Sequence, residues 1–202
     1  MKILVLSDIH YPRTNIEELR DIIRKERPER TIFLGDSVYN VGYVEEFVKL
    51  VQTVLSTSEY VLVSGDSDST IPVQSVSSLD LDLDGRKFIF IHGHQFNVWS
   101  EKITKKMAYF LKKFDKDLPS LAYATYSRIK LRNFHSYLIL GHSHALKYFP
   151  RLKVACSGCL TTEKNVYSDR GYIVISAEND GLSLSVIGLG ESKKESIFRL
   201  NN

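Results

Sequence analysis

Five short apolar segments of this chain end in side chains that can bind metal ions, and this repeated ending limits the available folds more than any other feature. The endings are Ser7-Asp8-Ile9-His10, Gly35-Asp36, Gly65-Asp66-Ser67-Asp68, His92-Gly93-His94 and Gly141-His142-Ser143-His144. They contain five of the six histidines, and only His135 lies elsewhere. In open α/β sheets the carboxyl ends of the strands meet at one crevice, so we expect these side chains to be neighbours in space.

The order of apolar and polar residues predicts a mixed α/β fold. Strands are predicted at Ile3–Leu6, Thr31–Leu34, Tyr60–Val63, Lys87–Ile91, Tyr137–Leu140, Lys153–Ala155, Tyr172–Ile175 and Leu182–Ile187. Helical spacing in residues 16–23 and 44–55 separates the first three strands, which predicts parallel strands with helices covering one face. A capping box of Thr14 and Glu17 is expected to start the first helix. The turn at residues 178–181 predicts an antiparallel hairpin near the end of the chain.

Residues 96–135 interrupt this pattern. Apolar side chains recur there at helical spacing, from Trp99 and Ile103 through Met107 to Phe114, which predicts a helical insertion between two core strands. A chain of 202 residues is the size of one domain with an insertion, at roughly 150 residues per domain. We therefore expect a single domain over residues 1–190, with residues 191–202 as a polar C-terminal tail.

Composition narrows the function classes. The net charge of +3 is too small to indicate a nucleic-acid-binding protein by itself. Two cysteines, Cys156 and Cys159, are too few for a disulfide framework. A single C-x-x-C is a weak signal for a redox or zinc site, so we expect these cysteines to lie in a turn without such a role. No apolar run approaches the ~18 residues of a membrane span. These features predict a soluble cytoplasmic protein with no membrane partner.

The insertion is the most basic part of the chain. Nine basic and three acidic residues give it a net charge of +6, and they alternate with tyrosine and phenylalanine. A nucleic-acid backbone is one candidate partner for such a segment. We favour a solvated helical face, whose lysines would attract a small phosphate ester if the insertion overhangs the strand ends. The edge strands and the insertion are also compatible with a homodimer.

The residue types at the strand ends are those of a transition-metal site. Imidazole suits Mn, Fe, Ni, Zn and Co, and a carboxylate can bridge two cations. In Asp8-x-His10 and His142-x-His144, side chains two residues apart leave a strand on the same face, so both can reach one cluster. Two ions ~3.5–4 Å apart would activate a water and stabilise a phosphoryl transfer.

Taken in order, these motifs resemble those of the calcineurin-like metallophosphoesterases, in particular their small phosphodiesterase branch. The resemblance spans roughly residues 1–175. It implies two mixed β-sheets packed as a sandwich flanked by helices, and two divalent metal ions. Mn²⁺ is the first choice, with Ni²⁺, Fe²⁺, Zn²⁺ or Co²⁺ as alternatives. It also implies a phosphodiester hydrolase whose nucleophile is a metal-bridging hydroxide.

The resemblance also assigns residues to the two metal ions. Asp8, His10 and His144 correspond to the ligands of one ion, and Asp36 corresponds to the bridging carboxylate. The second ion corresponds to Asp66, His92 and His142. Asp36 and His94 are the predicted catalytic residues, and Tyr11, next to His10, is expected to line the site.

Two residues depart from the family pattern. Asp66 stands where the family has asparagine, and Ser67 stands where it has histidine or cysteine. With two divalent cations and a bridging hydroxide, three carboxylates bring the cluster charge to about zero, one unit less positive than with asparagine. We hypothesise that this disfavours dianionic monoesters relative to monoanionic diesters. Ser67 cannot protonate a leaving group near neutral pH, so His94 either supplies that proton or supports a ligand.

The same departures resemble a second relative, the retromer scaffold subunit, which has this fold and acts mainly as a binding module. The shared features are the Gly-Asp-x-Asp motif, His92-Gly93-His94-Gln95 and Trp99. That subunit carries asparagine in place of the bridging aspartate, whereas this chain keeps Asp36. We therefore favour a metal-dependent phosphoesterase, with a non-catalytic protein-binding scaffold as the alternative.

Overall fold

The chain folds into two β-sheets with helices on their outer faces. The computed structural model describes residues 1–55, 58–68, 75–96, 101–178, 181–190 and 194–200. The strands are β1 (Lys2–Leu6), β2 (Arg30–Leu34), β3 (Glu59–Val63), β4 (Leu79–Leu83), β5 (Arg86–Ile91), β6 (Tyr137–Leu140), β7 (Leu146–Phe149), β8 (Val154–Ser157), β9 (Gly171–Glu178), β10 (Gly181–Gly188) and β11 (Glu195–Arg199). The α-helices are α1 (Ile16–Glu26), α2 (Val44–Val54), α3 (Glu101–Lys112) and α4 (Leu118–Leu131).

Both sheets are mixed, as the sequence predicts. The six-stranded sheet has the order β11-β10-β9-β1-β2-β3, and the five-stranded sheet has the order β4-β5-β6-β8-β7. Strands β1, β2 and β3 run parallel to one another, and so do β5, β6 and β8. Strands β9, β10 and β11 are antiparallel to their neighbours. All eight predicted strands are confirmed, whereas β4, β7 and β11 were not predicted.

The alternation of side chains along the central strands explains the layered packing. Ile3 and Val5 of β1 point between the two sheets, where they join Phe88 and Phe90 of β5. Leu4 and Leu6 point the other way and pack beneath α1 and α2. Because successive side chains of a strand face opposite sides, a strand that is apolar throughout must be covered on both faces. The outer face of the five-stranded sheet is covered partly by α4.

The N-terminus of α1 differs from the prediction. Asn15 is the N-cap, and its side-chain oxygen accepts hydrogen bonds from the backbone N–H groups of Glu17 and Glu18 at 3.1 and 3.3 Å. Thr14, the predicted cap, instead donates its hydroxyl to the carbonyl oxygen of Leu160 at 2.9 Å. Asparagine is at least as good an N-cap as threonine, and Thr14 is held by its bridge to Thr161.

The predicted polar tail is wrong over Glu195–Arg199, which forms strand β11. This strand pairs antiparallel with β10, with Phe198 opposite Leu184. The ring of Phe198 packs edge-on against Tyr148 at 4.9 Å, and Leu200 is buried in the core. Two apolar side chains among polar ones are enough to hold this segment on the sheet. The predicted turn at residues 179–180, Trp99 and the remaining tail residues 191–193 and 201–202 lie outside the described residues.

The insertion contains the two helices α3 and α4, and its basic residues are not all on the surface. Arg128 of α4 is 2% exposed. Its guanidinium donates hydrogen bonds to the carbonyl oxygens of Leu152 and Ser136 at 3.0 and 2.9 Å. Arg128 therefore anchors α4 to the five-stranded sheet rather than adding to a basic surface. Within the described part of the chain, no helix combines the length and the apolarity needed to cross a bilayer.

A buried carboxylate at the end of α1 links stability to pH. Glu26 contacts Lys2 Nζ at 2.7 Å and accepts a hydrogen bond from the Tyr172 hydroxyl at 2.8 Å. Burial raises the pKa of Glu26, but the bonds from Lys2 and Tyr172 outweigh burial and lower it below the ordinary 4.5. A lowered pKa stabilises the fold above pH 4.5, and this contribution is lost as the pH falls through the folded-state pKa.

We expect Glu26→Gln to lower the free energy of unfolding at pH 7 by about 1–3 kcal/mol, because it removes the charged partner of Lys2. Urea unfolding of the variant and the parent at a series of pH values measures this difference. The difference between the two free energies of unfolding should become smaller as the pH falls below 4.5. Glu45→Gln, at an exposed position on α2, is the control and should cost less than about 1 kcal/mol. A Glu26→Gln effect that stays constant down to acid pH would contradict this interpretation.

Candidate metal centre

The predicted metal ligands converge at one edge of the sandwich, where parallel strands of both sheets end. Asp8, Asp36 and Asp66 follow β1, β2 and β3 of the six-stranded sheet. His92 and His142 follow β5 and β6 of the five-stranded sheet. The site is thus assembled from both layers, and the packing between the sheets sets the distances across it.

The first group contains Asp8, His10 and His144. His144 Nε2 lies 3.3 Å from Asp8 Oδ1, and His10 Nε2 lies 4.0 Å from the same oxygen. The rings of the two histidines have centroids 5.7 Å apart. One ligand atom from each residue lies within 4.8 Å of the others, a spacing that a single metal ion can span.

The second group contains Asp66, His92 and His142. Asp66 Oδ1 lies 3.2 Å from His92 Nε2 and 3.3 Å from His142 Nδ1. These ligand atoms also lie within 4.8 Å of one another. The structure therefore brings together all six non-bridging residues that the sequence predicts as ligands, in the two predicted sets of three.

Asp36 lies between the two groups. Its Oδ2 is 3.7 Å from His10 Nε2 in the first group and 3.6 Å from His92 Nε2 in the second. Its other oxygen, Oδ1, accepts a hydrogen bond from the backbone N–H of Ser67 at 3.0 Å. One carboxylate oxygen is thus held by the backbone while the other is presented to both groups, which is the arrangement that a bridging ligand needs.

Five of the candidate metal ligands share the same strained backbone conformation. Asp8, His10, Asp36, His142 and His144 all have positive φ angles between 50° and 62°. Residues other than glycine rarely adopt this left-handed conformation, and such residues cluster at functional sites. The glycine that precedes Asp66 has a different role: a Cβ atom on Gly65 would lie 2.2 Å from Asp36 Oδ1. Only glycine allows these two strand ends to approach so closely.

Hydrogen bonds from outside the two groups fix the orientation of the ligands. His92 Nδ1–H donates to the carbonyl oxygen of Leu34 at 2.8 Å, which directs Nε2 towards the carboxylates. Asp8 Oδ2 lies 2.5 Å from the Ser7 hydroxyl and accepts the backbone N–H of His142 at 3.0 Å. These bonds hold one side of each ligand and leave the other side for the cluster.

The ligand atoms that have no hydrogen-bond partner match the requirements of metal ions. Asp8 Oδ1 and His10 Nε2 are buried, and neither has a hydrogen-bond partner among the described residues. A buried polar atom without a partner is costly unless another group satisfies it. Both atoms face the centre of the first group, where a cation would be bound by them. The donor set of imidazoles and carboxylates suits divalent transition metals, so these residues fit a pair of such ions.

The acid–base properties of the site keep its carboxylates charged. Burial raises the pKa of Asp8, but electrostatic attraction to His92 and His144 outweighs burial and holds that pKa well below its ordinary value. Hydrogen bonds from His142 and His92 lower the pKa of Asp66 in the same way. Metal ligands must be deprotonated to bind, so both carboxylates are ready for a cation at neutral pH.

An open cleft of about 500 Å³ lies over both groups. The insertion forms part of its wall, through Thr104 and Lys105 of α3 and Tyr123 of α4, and Lys164 lines it from the opposite loop. The insertion therefore overhangs the strand ends, and Lys105 and Lys164 place positive charge beside the candidate metal ligands. A cleft of this volume is typical of small-molecule sites.

Two residues that the sequence places near the site do not line the cleft. His94 follows the five-stranded sheet in a 3₁₀ turn, with its ring 5.5 Å from His92. Burial and the charge of His92 lower its pKa. Its role as a proton donor stays a prediction. Tyr11 packs against Phe47 of α2, and its hydrogen bond to Glu46 raises its pKa to about 12. The expectation that Tyr11 lines the site is wrong.

Asp68 and the two cysteines have structural roles. Asp68, to which the sequence analysis gave no role, accepts the backbone N–H groups of Ser37 and Gly65 at 3.1 Å each. It thereby ties the loop that carries Asp36 to the loop that carries Asp66. Cys156 and Cys159 are buried free thiols, and burial raises the pKa of each to about 12. Such thiols are unreactive. Cys156 lies within β8 rather than in the predicted turn.

Comparison with protein families agrees with the order and the geometry of these motifs. The family model for the calcineurin-like phosphoesterase superfamily domain matches residues 1–180. The chain belongs to the calcineurin-like phosphoesterase superfamily. The resemblance seen in the sequence is thereby confirmed. No curated protein sequence matches this member of the superfamily.

Solved structures of other superfamily members have the same fold. Wild-type Vps29 from Entamoeba histolytica, in complex with Zn²⁺, has a TM-score of 0.62 and 18% identity over 99% of this chain and 98% of that chain. YfcE, a phosphoesterase from E. coli, has a TM-score of 0.62 and 20% identity over 100% of both chains. An archaeal phosphodiesterase has a TM-score of 0.51 and 15% identity over 99% of this chain and 100% of that chain. Vps29 corresponds to the resemblance to the retromer subunit, and the archaeal phosphodiesterase corresponds to the resemblance to the small phosphodiesterases.

If the two groups bind metal, divalent cations should stabilise the fold. A ligand at ~100 times its dissociation constant adds about 2.7 kcal/mol, so we expect Mn²⁺ to raise the Tm of the chelator-treated protein by about 5–10 °C. His144→Ala, which removes a ligand of the first group, should reduce this shift. His135→Ala removes the one histidine outside the motifs and should keep the full shift. Equal shifts in both variants would argue against the first group as a metal site.

Proposed function

We propose that this chain is a dinuclear metal-dependent phosphoesterase and that its preferred substrates are small phosphodiesters. The position of Asp36 carries the proposal, because its Oδ2 lies within 3.7 Å of a histidine in each group. When bound, a pair of divalent cations at these groups would activate a water for attack on phosphorus and neutralise charge on the phosphoryl oxygens. The superfamily membership and the Zn²⁺ complex of Vps29 support metal binding.

The residues of this chain have three tasks in the proposed reaction. The six residues of the two groups and Asp36 would hold the cations. Lys105 and Lys164 on the cleft wall attract the anionic ester and raise its local concentration. The carbonyl oxygen of Leu34 accepts a hydrogen bond from His92, and Ser7 and Ser67 donate hydrogen bonds to Asp8 and Asp36. These bonds keep the ligands in place, so that little reorganisation is needed during the reaction.

The proposed preference for diesters with good leaving groups rests on Asp66 and Ser67. Asp66 contacts two histidines of the second group, so its carboxylate adds negative charge at the site itself. Ser67 places a hydroxyl, rather than an imidazole, next to the second group. A hydroxyl does not protonate a leaving group near neutral pH, so aryl esters are expected to react faster than alkyl esters.

Loss of the bridging carboxylate tests the proposal. Asp36→Asn should lower the rate of Mn²⁺-dependent hydrolysis of bis-p-nitrophenyl phosphate by at least about 100-fold, since changes in the partners of metal ligands already cost about 10–100-fold. Release of p-nitrophenol measures the rate, and thermal unfolding of each variant confirms that it is folded. Asp82→Asn, on an exposed part of β4, removes a carboxylate away from the site and should retain the activity.

The charge of Asp66 should set the preference between ester classes. Asp66→Asn makes the cluster one unit more positive, and one charge at ~4 Å is worth about 1–4 kcal/mol. We therefore expect the ratio of activity on p-nitrophenyl phosphate to activity on bis-p-nitrophenyl phosphate to rise at least about fivefold. The two substrates share a leaving group, so the ratio reports the charge of the ester. An unchanged ratio would reject the charge argument while leaving the metal centre intact.

A non-catalytic scaffold is the second candidate function, and the similarity to Vps29 favours it. Such a protein would use the same fold to bind a partner and would hydrolyse no ester. Asp36 argues for the enzyme, because the resemblance to the retromer subunit implies asparagine at this position, whereas this chain has a carboxylate that both groups share. Inactivity of the folded protein with Mn²⁺, Ni²⁺, Fe²⁺, Zn²⁺ and Co²⁺ alike would favour the scaffold.

A further inference from the structure

Helix α3 and the turn that follows it expose four large apolar side chains in one line. Ile103, Met107, Phe110 and Phe114, here called the α3 stripe, are between 43% and 72% exposed. Their spacing of four, three and four residues places them on one face of the helix. The rings of Phe110 and Phe114 pack edge-on with centroids 5.2 Å apart. Exposed apolar residues scattered singly are ordinary, but a continuous row of this kind marks an interaction surface.

The α3 stripe is not the face by which the helix is attached to the protein. A different side of α3 carries Thr104 and Ala108, which line the cleft. Lys112, on that side too, donates a hydrogen bond from Nζ to the carbonyl oxygen of Val166 at 2.6 Å. Among the described residues, this hydrogen bond and the cleft-lining side chains therefore lie away from the stripe, which is exposed to an external partner.

The charges beside the α3 stripe limit what that partner can be. Lys102, Lys106 and Lys113 are exposed and lie along one flank of the stripe, at spacings of four and seven residues. A second copy of the chain that paired through the same face would bring these lysines near their counterparts, and like charges oppose such a symmetric contact. A partner with an apolar layer beneath a negatively charged surface can contact the apolar side chains of the stripe and pair its negative charge with the lysines.

We propose that the α3 stripe docks this protein on an anionic lipid surface, with α3 lying in the plane of the interface. A helix with phenylalanine and other apolar residues on one face and lysines beside them is the type that inserts at the boundary of headgroups and acyl chains. The four side chains stand out from an exposed helix, so they suit a soft headgroup layer, whereas a folded protein partner would have to supply a matching groove. At twelve residues, α3 is too short to span a bilayer and can only lie on it. Peripheral binding of this kind departs from the sequence-based prediction of no membrane partner.

Co-sedimentation of the full chain with vesicles tests this proposal without any substrate, so its outcome is independent of the proposed hydrolysis. The protein should bind vesicles of phosphatidylcholine mixed with phosphatidylglycerol and bind phosphatidylcholine alone much more weakly. The double variant Phe110→Ser with Phe114→Ser should lower the partition constant by more than about tenfold, because two apolar side chains no longer enter the lipid. Lys106→Gln with Lys113→Gln should lower it by about tenfold, and added salt should have a similar effect.

Two matched controls separate the α3 stripe from general surface properties. Ile197→Ser removes an exposed apolar side chain from β11, and Lys49→Gln with Lys87→Gln removes two exposed lysines elsewhere. Both should leave binding unchanged, and thermal unfolding verifies that every variant is folded. The proposal would be overturned by absence of binding to the anionic vesicles or by equal loss in the controls. Tighter binding to an acidic polypeptide than to vesicles would overturn it as well, as would a stripe-dependent dimer in sedimentation velocity that binds no vesicles.

Discussion

Repulsion between closely spaced carboxylates is the constraint on which the rest of this site depends. Asp8 and Asp36 are buried, and Asp66 shares the histidine neighbour His92 with Asp36. Burying charge in this way is unfavourable unless hydrogen bonds and opposite charges compensate it. The protein supplies hydrogen bonds to one oxygen of Asp8 and of Asp36 and leaves the others facing the centre. The carboxylate oxygens that face the centre therefore require positive charge at that point of the fold.

The two-layer architecture makes this arrangement possible, because each group of ligands draws on both sheets. The first group takes Asp8 and His10 from the six-stranded sheet and His144 from the five-stranded sheet. The second group reverses the proportion, with Asp66 from one sheet and two histidines from the other. Side chains between the sheets, such as Val5 and Phe90, therefore set the distance between the ligands. A cavity in this layer would alter the candidate metal centre.

The sequence predicts this site well because its signals are local and periodic. Each ligand follows a strand that is apolar throughout, and parallel strands of one sheet must end at the same edge. Features that depend on distant backbone are not predictable in this way. Tyr11 follows a ligand, but its backbone bridges Val38 and its ring packs on Phe47 of α2. Arg128 looks like a surface residue in the sequence, yet carbonyl groups from two other segments bury it. Strand β11 is not predicted because Ile197, Phe198 and Leu200 lie among polar residues that resemble a tail.

Helix α3 connects the two surfaces of this protein that face an external molecule. One side of the helix, with Thr104, Lys105 and Ala108, forms part of the wall of the cleft above the candidate metal centre. Another side carries the α3 stripe and its flanking lysines. A rigid helix transmits any displacement of one face to the other, since its side chains share one backbone. A lipid surface on the stripe and an ester in the cleft, as proposed, would therefore contact different sides of the same helix.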